Sequence, residues 1–333
     1  MRSSPPPAAP PPSPVPAAVA RAIAAAWIAV AIVIAGCGRP TVGTEAPRAP
    51  SVVPSATPAD PAAEPALDGL LVAAGGPLLV TDVHGSLVAF DPPSVPVLAV
   101  TATAGTIVTI DESGDAAILD GSAPAPAWTD LPAPNEPGVG AIVRLVAIGP
   151  LGRQLAIASG VPQGASFDLA LLDLVSRTAH TIPVGRGLNG SPTWIGPDAV
   201  AIDVIRDDGG SGIASIDIAT GVVTNRLGPA TIVAASNDGL ALALDDPATG
   251  DVLIGDLAAW RAGAFQGMTR IHGPPGTGVD RLAMNAAGHR LAVVRRTDTG
   301  STIEILVRRE GGWHATRTLT VPGDGSLGIA WRD

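Results

Sequence analysis

Ala199-Val200-Ala201-Ile202 follows Asp198, and Ala214-Ser215-Ile216-Asp217-Ile218-Ala219-Thr220-Gly221 then carries a second apolar run to an aspartate and a Thr-Gly turn. The unit recurs on both sides. Leu155-Ala156-Ile157-Ala158 follows Gly152-Arg153 and precedes Ala170-Leu171-Leu172-Asp173-Leu174. Leu240-Ala241-Leu242-Ala243 follows Asn237-Asp238-Gly239 and precedes Val252-Leu253-Ile254-Gly255-Asp256-Leu257. Leu291-Ala292-Val293-Val294 follows Gly288-His289-Arg290 and precedes Ile303-Glu304-Ile305-Leu306-Val307. The aspartates at 173, 217 and 256 are 44 and 39 residues apart, and the turn residues at 152, 198, 239 and 288 are 46, 41 and 49 apart. Short apolar runs closed by Gly, Pro, Asp and Asn turns are strands joined as hairpins. A repeat of about 40–45 residues holding about four such strands is the period of propeller blades. From Leu67 onward no long helical pattern interrupts these runs, so the class is all-β.

These units resemble TolB-like and WD-repeat-like propellers. In those families an Asp-Gly type of turn leads into an apolar strand, and a later strand ends in Asp-Leu and a Thr-Gly turn. Ile216-Asp217-Ile218-Ala219-Thr220-Gly221 matches that ending, and Leu172-Asp173-Leu174 matches it in part. The resemblance is close over 141–321 and loose over 67–140. Asp198 lacks the following Gly, and Val307-Arg308 stands in place of Asp-Leu. The resemblance implies an architecture rather than one functional subgroup.

The ends of the chain set the blade number. Four repeats begin near 141, 190, 230 and 279, and residues 67–137 hold roughly seven further short runs. Gly190-Ser191-Pro192-Thr193-Trp194 opens one repeat; Ser326-Leu327-Gly328-Ile329-Ala330-Trp331 has the same look but stands just before the last residues. Paired with the first strands, that segment would close the ring and remove two exposed sheet edges. The expectation is six four-stranded blades, with seven as the alternative.

Composition fits a folded, exported domain. The chain has 333 residues, of which 46% are hydrophobic and 15% charged, and every one of its twenty basic residues is arginine. The formal net charge is −10, and near −12 once Arg2 and Arg21 are set aside, which repels phosphate backbones and argues against nucleic acid. Ala22 to Ala35 is a fourteen-residue apolar core after Arg21, the length of a signal-peptide h-region. Ile34-Ala35-Gly36-Cys37 then resembles a bacterial lipobox, which implies cleavage before Cys37 and diacylglyceryl attachment to its thiol. A membrane-spanning signal anchor is the alternative, although crossing ~30 Å of hydrocarbon takes about twenty apolar residues. The Pro-rich stretch before Arg21 suggests a true start at Val15 or Val19. The expected organisation is residues 1–36 as lipoprotein signal peptide, 37–66 as a Pro/Ala/Thr-rich linker and 67–333 as the propeller. The 29 residues of Gly38–Ala66 would span about 30 Å as a flexible coil. Cys37 is the only cysteine, so no disulfide forms.

Candidate chemistry is sparse. Gly273-Pro274-Pro275-Gly276-Thr277-Gly278 begins like an ATPase phosphate loop, but Val279 and Asp280 follow where Lys and Ser or Thr are needed, so it is read as an inter-blade loop. Asp207-Asp208-Gly209-Gly210 and Asp245-Asp246-Pro247 are read as turns, since calcium wants six to eight spaced oxygens. His84, His180, His272, His289 and His314 share no metal-ligand spacing and are assigned to solvated turns. No Gly-x-Ser-x-Gly elbow occurs. Trp128, Trp194, Trp260, Trp313 and Trp331 are expected between blades. No catalytic, cofactor-binding or metal residue is assigned, and no cofactor.

The functional expectation is a monomeric, non-catalytic propeller, held by Cys37 in the cell membrane, facing the exterior or periplasm and binding or scaffolding a protein, peptide or glycan. The alternative is a six-bladed hydrolase or lactonase with a metal at the channel mouth; an assembly factor like TolB is a third reading. Intact-mass analysis of membrane-extracted protein should give a chain beginning at an acylated Cys37. An unacylated chain beginning upstream would remove the lipoprotein reading.

Overall fold

The computed structural model describes residues 67–90, 96–103, 105–111, 113, 115–121, 128–131, 143–160, 166–186, 192–205, 209–226, 230–262, 267–297, 300–321 and 327–332. Among them, twenty-four strands form six four-stranded antiparallel sheets. The first strand of each sheet lies beside the first strands of the sheets on either side, and these contacts run round the molecule without a gap. This is a six-bladed propeller with an inner, second, third and outer strand in each blade. Blades two to six take consecutive strands, with inner strands Val97–Thr103, Val143–Ile148, Thr193–Trp194, Val233–Ala235 and Val279–Met284. Blade one draws its second, third and outer strands from Leu70–Ala73, Leu79–Thr81 and Leu87–Ala89, and its inner strand from Gly328–Trp331. The seven runs of 67–137 are thus seven strands, and the C-terminal segment supplies the eighth. Six blades, not seven, are present.

Each second strand is covered on both faces, which is why it is nearly unbroken apolar sequence rather than an alternating one. Leu70, Leu71, Val72 and Ala73 are all fully buried. Because successive side chains of a strand point to opposite faces, Leu70 and Val72 join the cluster shared with blade six, while Leu71 and Ala73 join that shared with blade two. The core is accordingly six wedges, one at each interface between neighbouring blades.

The tryptophans lie where expected. Trp194 and Trp331 sit at equivalent places on inner strands; their indole Nε1 atoms donate to the carbonyls of Ala147 (2.9 Å) and Ala283 (3.0 Å) on the preceding blade. Trp260, on the five-residue helix Leu257–Arg261, fills the wedge between blades four and five. Trp128 and Trp313 pack on the edges of two other wedges.

The recurring aspartates close turns. Asp173 Oδ1 accepts from the amides of Val175 (2.9 Å) and Ser176 (2.7 Å), and Asp217 Oδ1 from the amide and hydroxyl of Thr220. Asp256 accepts from the Ala258 amide and caps the helix. Gly221 adopts φ +70° three residues beyond the Asp217–Ile218 step, and Arg177 takes the same left-handed conformation (φ +57°) in the equivalent turn of blade three.

Trp331→Ala removes a buried indole from the strand that closes the ring and should cost about 3–5 kcal/mol. Trp128→Ala, at a wedge edge, should cost less. Urea unfolding of both variants checks this; equal and small losses would show that closure does not limit stability.

Candidate functional site at the channel mouth

The hairpins give the ring two dissimilar faces. Turns joining inner to second strands and third to outer strands share one side, the turn face. There Leu174, Ile218, Leu257 and Arg308 of the later turns donate backbone hydrogen bonds to Arg153, Asp198, Leu240 and His289 of the earlier ones. The opposite side, the crossover face, carries the described second-to-third turns and the crossover from blade five to blade six at 272–278.

Towards the turn face a side-chain hydrogen bond crosses the ring. Asn237, in the inner-to-second turn of blade five, donates from Nδ2 to Thr103 Oγ1 at 2.7 Å. Thr103 ends the inner strand of blade two, opposite blade five in a six-membered ring, so the bond spans the axis. The Asn237 amide also donates to the Ala286 carbonyl at 3.0 Å, tying the same turn to blade six.

Charges gather towards the crossover face. Asp280 and Arg281 open the inner strand of blade six at a register irregularity. Asp203 lies on the second strand of blade four, Ala199–Ile205, and is buried. Burial pushes the Arg281 guanidinium below its ordinary value; Asp280 and Asp203 pull it back up, and Arg296 adds to the lowering. Arg296 donates to Asp280 Oδ1 at 3.1 Å, while Asp280 Oδ2 is buried without a hydrogen bond. Charges from blades four and six thus lie within electrostatic reach of one another. A guanidinium there can hold a carboxylate or phosphate oxygen, and the carboxylates can take donors.

A second charged group braces blades five and six beside this mouth. Arg270 Nη1 donates to Asp246 Oδ2 (2.9 Å) and Asp251 Oδ2 (2.8 Å). Asp251 Oδ1 accepts from the Gly273 amide at 3.1 Å, and its other oxygen lies 3.2 Å from His272 Nδ1. Chiefly through the Arg270 bond, the Asp251 carboxyl is held at about 2, below the ordinary 3.8. Arg295, 2% exposed, reaches under the same loop and donates from Nη1 to the Gly250 carbonyl at 2.5 Å. A side chain at Gly273 would strike Arg295 and Gly250, which accounts for glycine there.

The sequence candidates fall as follows. Gly273–Gly278 is the crossover from Thr269–Ile271 to Val279–Met284, an inter-blade loop as expected. Asp246 closes the turn 247–250 as expected, its carbonyl accepting from the Thr249 and Gly250 amides and Oδ1 from the Ala248 amide, but it and Asp245 end the strand Ala241–Asp246 and are buried. Asp245 accepts from the Thr231 amide and hydroxyl and the Ile232 amide, and burial pushes its carboxyl up. His84 and His289 lie in turns and His272 in the crossover, but His180 and His314 lie on outer strands, exposed. Among the described residues no three His, Cys, Asp or Glu side chains are grouped to hold a metal ion. Cys37 and Asp207-Asp208 lie outside the described residues. The Asp203–Asp280–Arg281 group is the feature the sequence concealed; the Asp280-Arg281 pair opening an otherwise apolar inner strand was its only trace.

Fold and channel together define a six-bladed β-propeller. Solved structures similar to this chain include TolB from Acinetobacter baumannii, at 16% identity and TM-score 0.56 over 79% of this chain and 66% of that one. A chain of the nidogen/laminin complex matches at 13% identity and TM-score 0.56, over 79% of this chain and 97% of that one. The putative TolB from Agrobacterium tumefaciens matches at 16% identity and TM-score 0.50, over 81% and 99%. At these identities the likeness is one of fold, and it bears out the TolB-like architecture. No protein-family model matches the sequence, and no curated protein matches it.

Because the Asp251 carboxyl sits below its ordinary value, it stabilises the folded state above pH 4, and that stability is lost as pH falls towards 2. Asp251→Asn should therefore melt lower than wild type at pH 7, and the two melting curves should converge between pH 4 and 2. A gap that stays constant over this range would show that the Arg270 bond is not the cause.

Proposed function

We propose that this chain is a lipid-anchored, extracytoplasmic and non-catalytic propeller that binds a protein or peptide at the crossover-face mouth of its channel. The observation that carries the reading is the asymmetry of the channel. It is bridged at one end by the 2.7 Å Asn237–Thr103 bond, and near the other Asp280 and Arg281 open the inner strand of blade six within the field of Asp203. A confined mouth with both signs of charge suits a polar peptide segment, whose carboxylate and amide groups meet a guanidinium and carboxylates. That a chain of a protein–protein complex, nidogen with laminin, shares the fold accords with a partner of this kind. Export, attachment through Cys37 and a monomeric propeller on the linker 38–66 complete the reading, supported by the apolar core and lipobox-like residues at 22–37.

Affinity capture from solubilised membranes tests it. Wild-type protein should recover a partner that Arg281→Gln recovers about tenfold less well, the worth of one charge-assisted contact. A thermal melt shows whether the variant is folded. Equal recovery by a folded Arg281→Gln would place binding elsewhere.

A further inference from the structure

Turn tips in water are ordinarily polar or glycine, yet several on this molecule end in bare aliphatic side chains. The most exposed large apolar residues among those described are Val175 at 77%, Leu151 at 73%, Leu240 at 70%, Val83 at 58% and Val222 at 57%. All five stand in inner-to-second or third-to-outer turns, and so on the turn face, in blades one, three, four and five. The tips are held stiffly. Asp82, Asp173, Asp217 and Asp238 each accept amides of the turn that presents one of these side chains. Exposed arginines stand beside them: Arg153 two residues after Leu151, Arg177 two after Val175, and Arg308 and Arg309 in the corresponding turn of blade six.

Leu67, the first residue described, lies on this same face. Leu67 packs beside Gly85 of the turn that carries Val83, and the Asp68 carbonyl accepts from Arg290 Nη1 at 3.0 Å. A groove of about 210 Å³ between blades three and four, lined by Pro150, Leu151, Arg153, Asp173, Trp194 and Pro197, adjoins the tips. Arg153 is close enough to Asp173 to help lower its carboxyl, after the turn hydrogen bonds from Ser176. The groove therefore offers a cation next to an anion, the charge pattern that a zwitterionic headgroup complements.

We propose that the turn face lies on a phospholipid bilayer, with Leu151, Val175, Val222 and Leu240 reaching into the interface and Arg153 and Asp173 meeting the phosphate and amine of a zwitterionic headgroup. The inference rests on the lipid-anchor reading, since aliphatic tips alone give weak and reversible association. It sets the orientation: the channel mouth with Asp203, Asp280 and Arg281 points away from the membrane.

Depth-dependent fluorescence quenching tests it on the full chain in phosphatidylcholine/phosphatidylethanolamine vesicles. Acylated Cys37 has no free thiol, so a polarity-sensitive dye can be placed at Leu151→Cys or Leu240→Cys, and at Asp115→Cys on the crossover face. Side chains seated ~5–10 Å into the headgroup boundary should be quenched about threefold more by acyl-chain nitroxides than the Asp115 position. In a Leu151→Asp, Val222→Asp, Leu240→Asp variant carrying its dye at Val175→Cys, the excess should vanish while vesicle flotation persists. Protein that floats but is quenched equally on both faces overturns the proposal and leaves the anchor standing. Dye shielded without any nitroxide quenching assigns the tips to a second copy or a protein partner and also overturns it. Protein that neither floats nor carries an acylated Cys37 overturns both readings.

Discussion

Leu70–Ala73 pairs with Gly328–Trp331 in the register Leu70↔Trp331 to Ala73↔Gly328, and the rest of the ring depends on that pairing. Every other blade is a hairpin series that could form locally. Blade one alone unites residues from the two ends of the domain, and its inner strand completes two wedges at once. Trp331 packs with Leu67 and Val307 on one side, and Ala330 with Val97 and Val100 on the other. A propeller lacking this strand would expose an unpaired edge on its most buried segment. The two equivalent tryptophans make the joint resemble an ordinary one: Trp331 bonds to blade six as Trp194 bonds to blade three.

Much of this was legible in the amino-acid order. Runs such as Leu70–Ala73 and Leu291–Val294 are continuous rather than alternating because blades cover them on both sides, and the turn residues between them are spaced by the blade itself. The resemblance of Thr193-Trp194 to Ala330-Trp331 marks the closing strand. The Asp217–Gly221 ending spells a turn and forms one. Arg177 shows the limit of such spelling: it holds a left-handed conformation that the motif reserves for glycine, because hydrogen bonds at Asp173 fix the turn around it.

The functional surfaces were less legible, for a topological reason. Asp203 and Arg281 belong to blades four and six, and only closure of the ring brings their charges into one field. Local spacing holds no trace of that. Asp245 and Asp246 were legible only in part: Asp246 forms the turn that Pro247 announces, but Thr231, Ile232 and Arg270 supply the donors that let both carboxylates be buried. Exposed Leu240 stands in the run Leu240–Ala243 as if part of the strand, since an aliphatic residue next to a strand carries no sign of which way it will point.

The bond from Asn237 to Thr103 lays a bar across the axis of this ring. Blades two and five are also braced against each other like opposite rim points joined by a spoke. Prising those two blades apart means breaking a contact that no run of neighbouring sequence supplies.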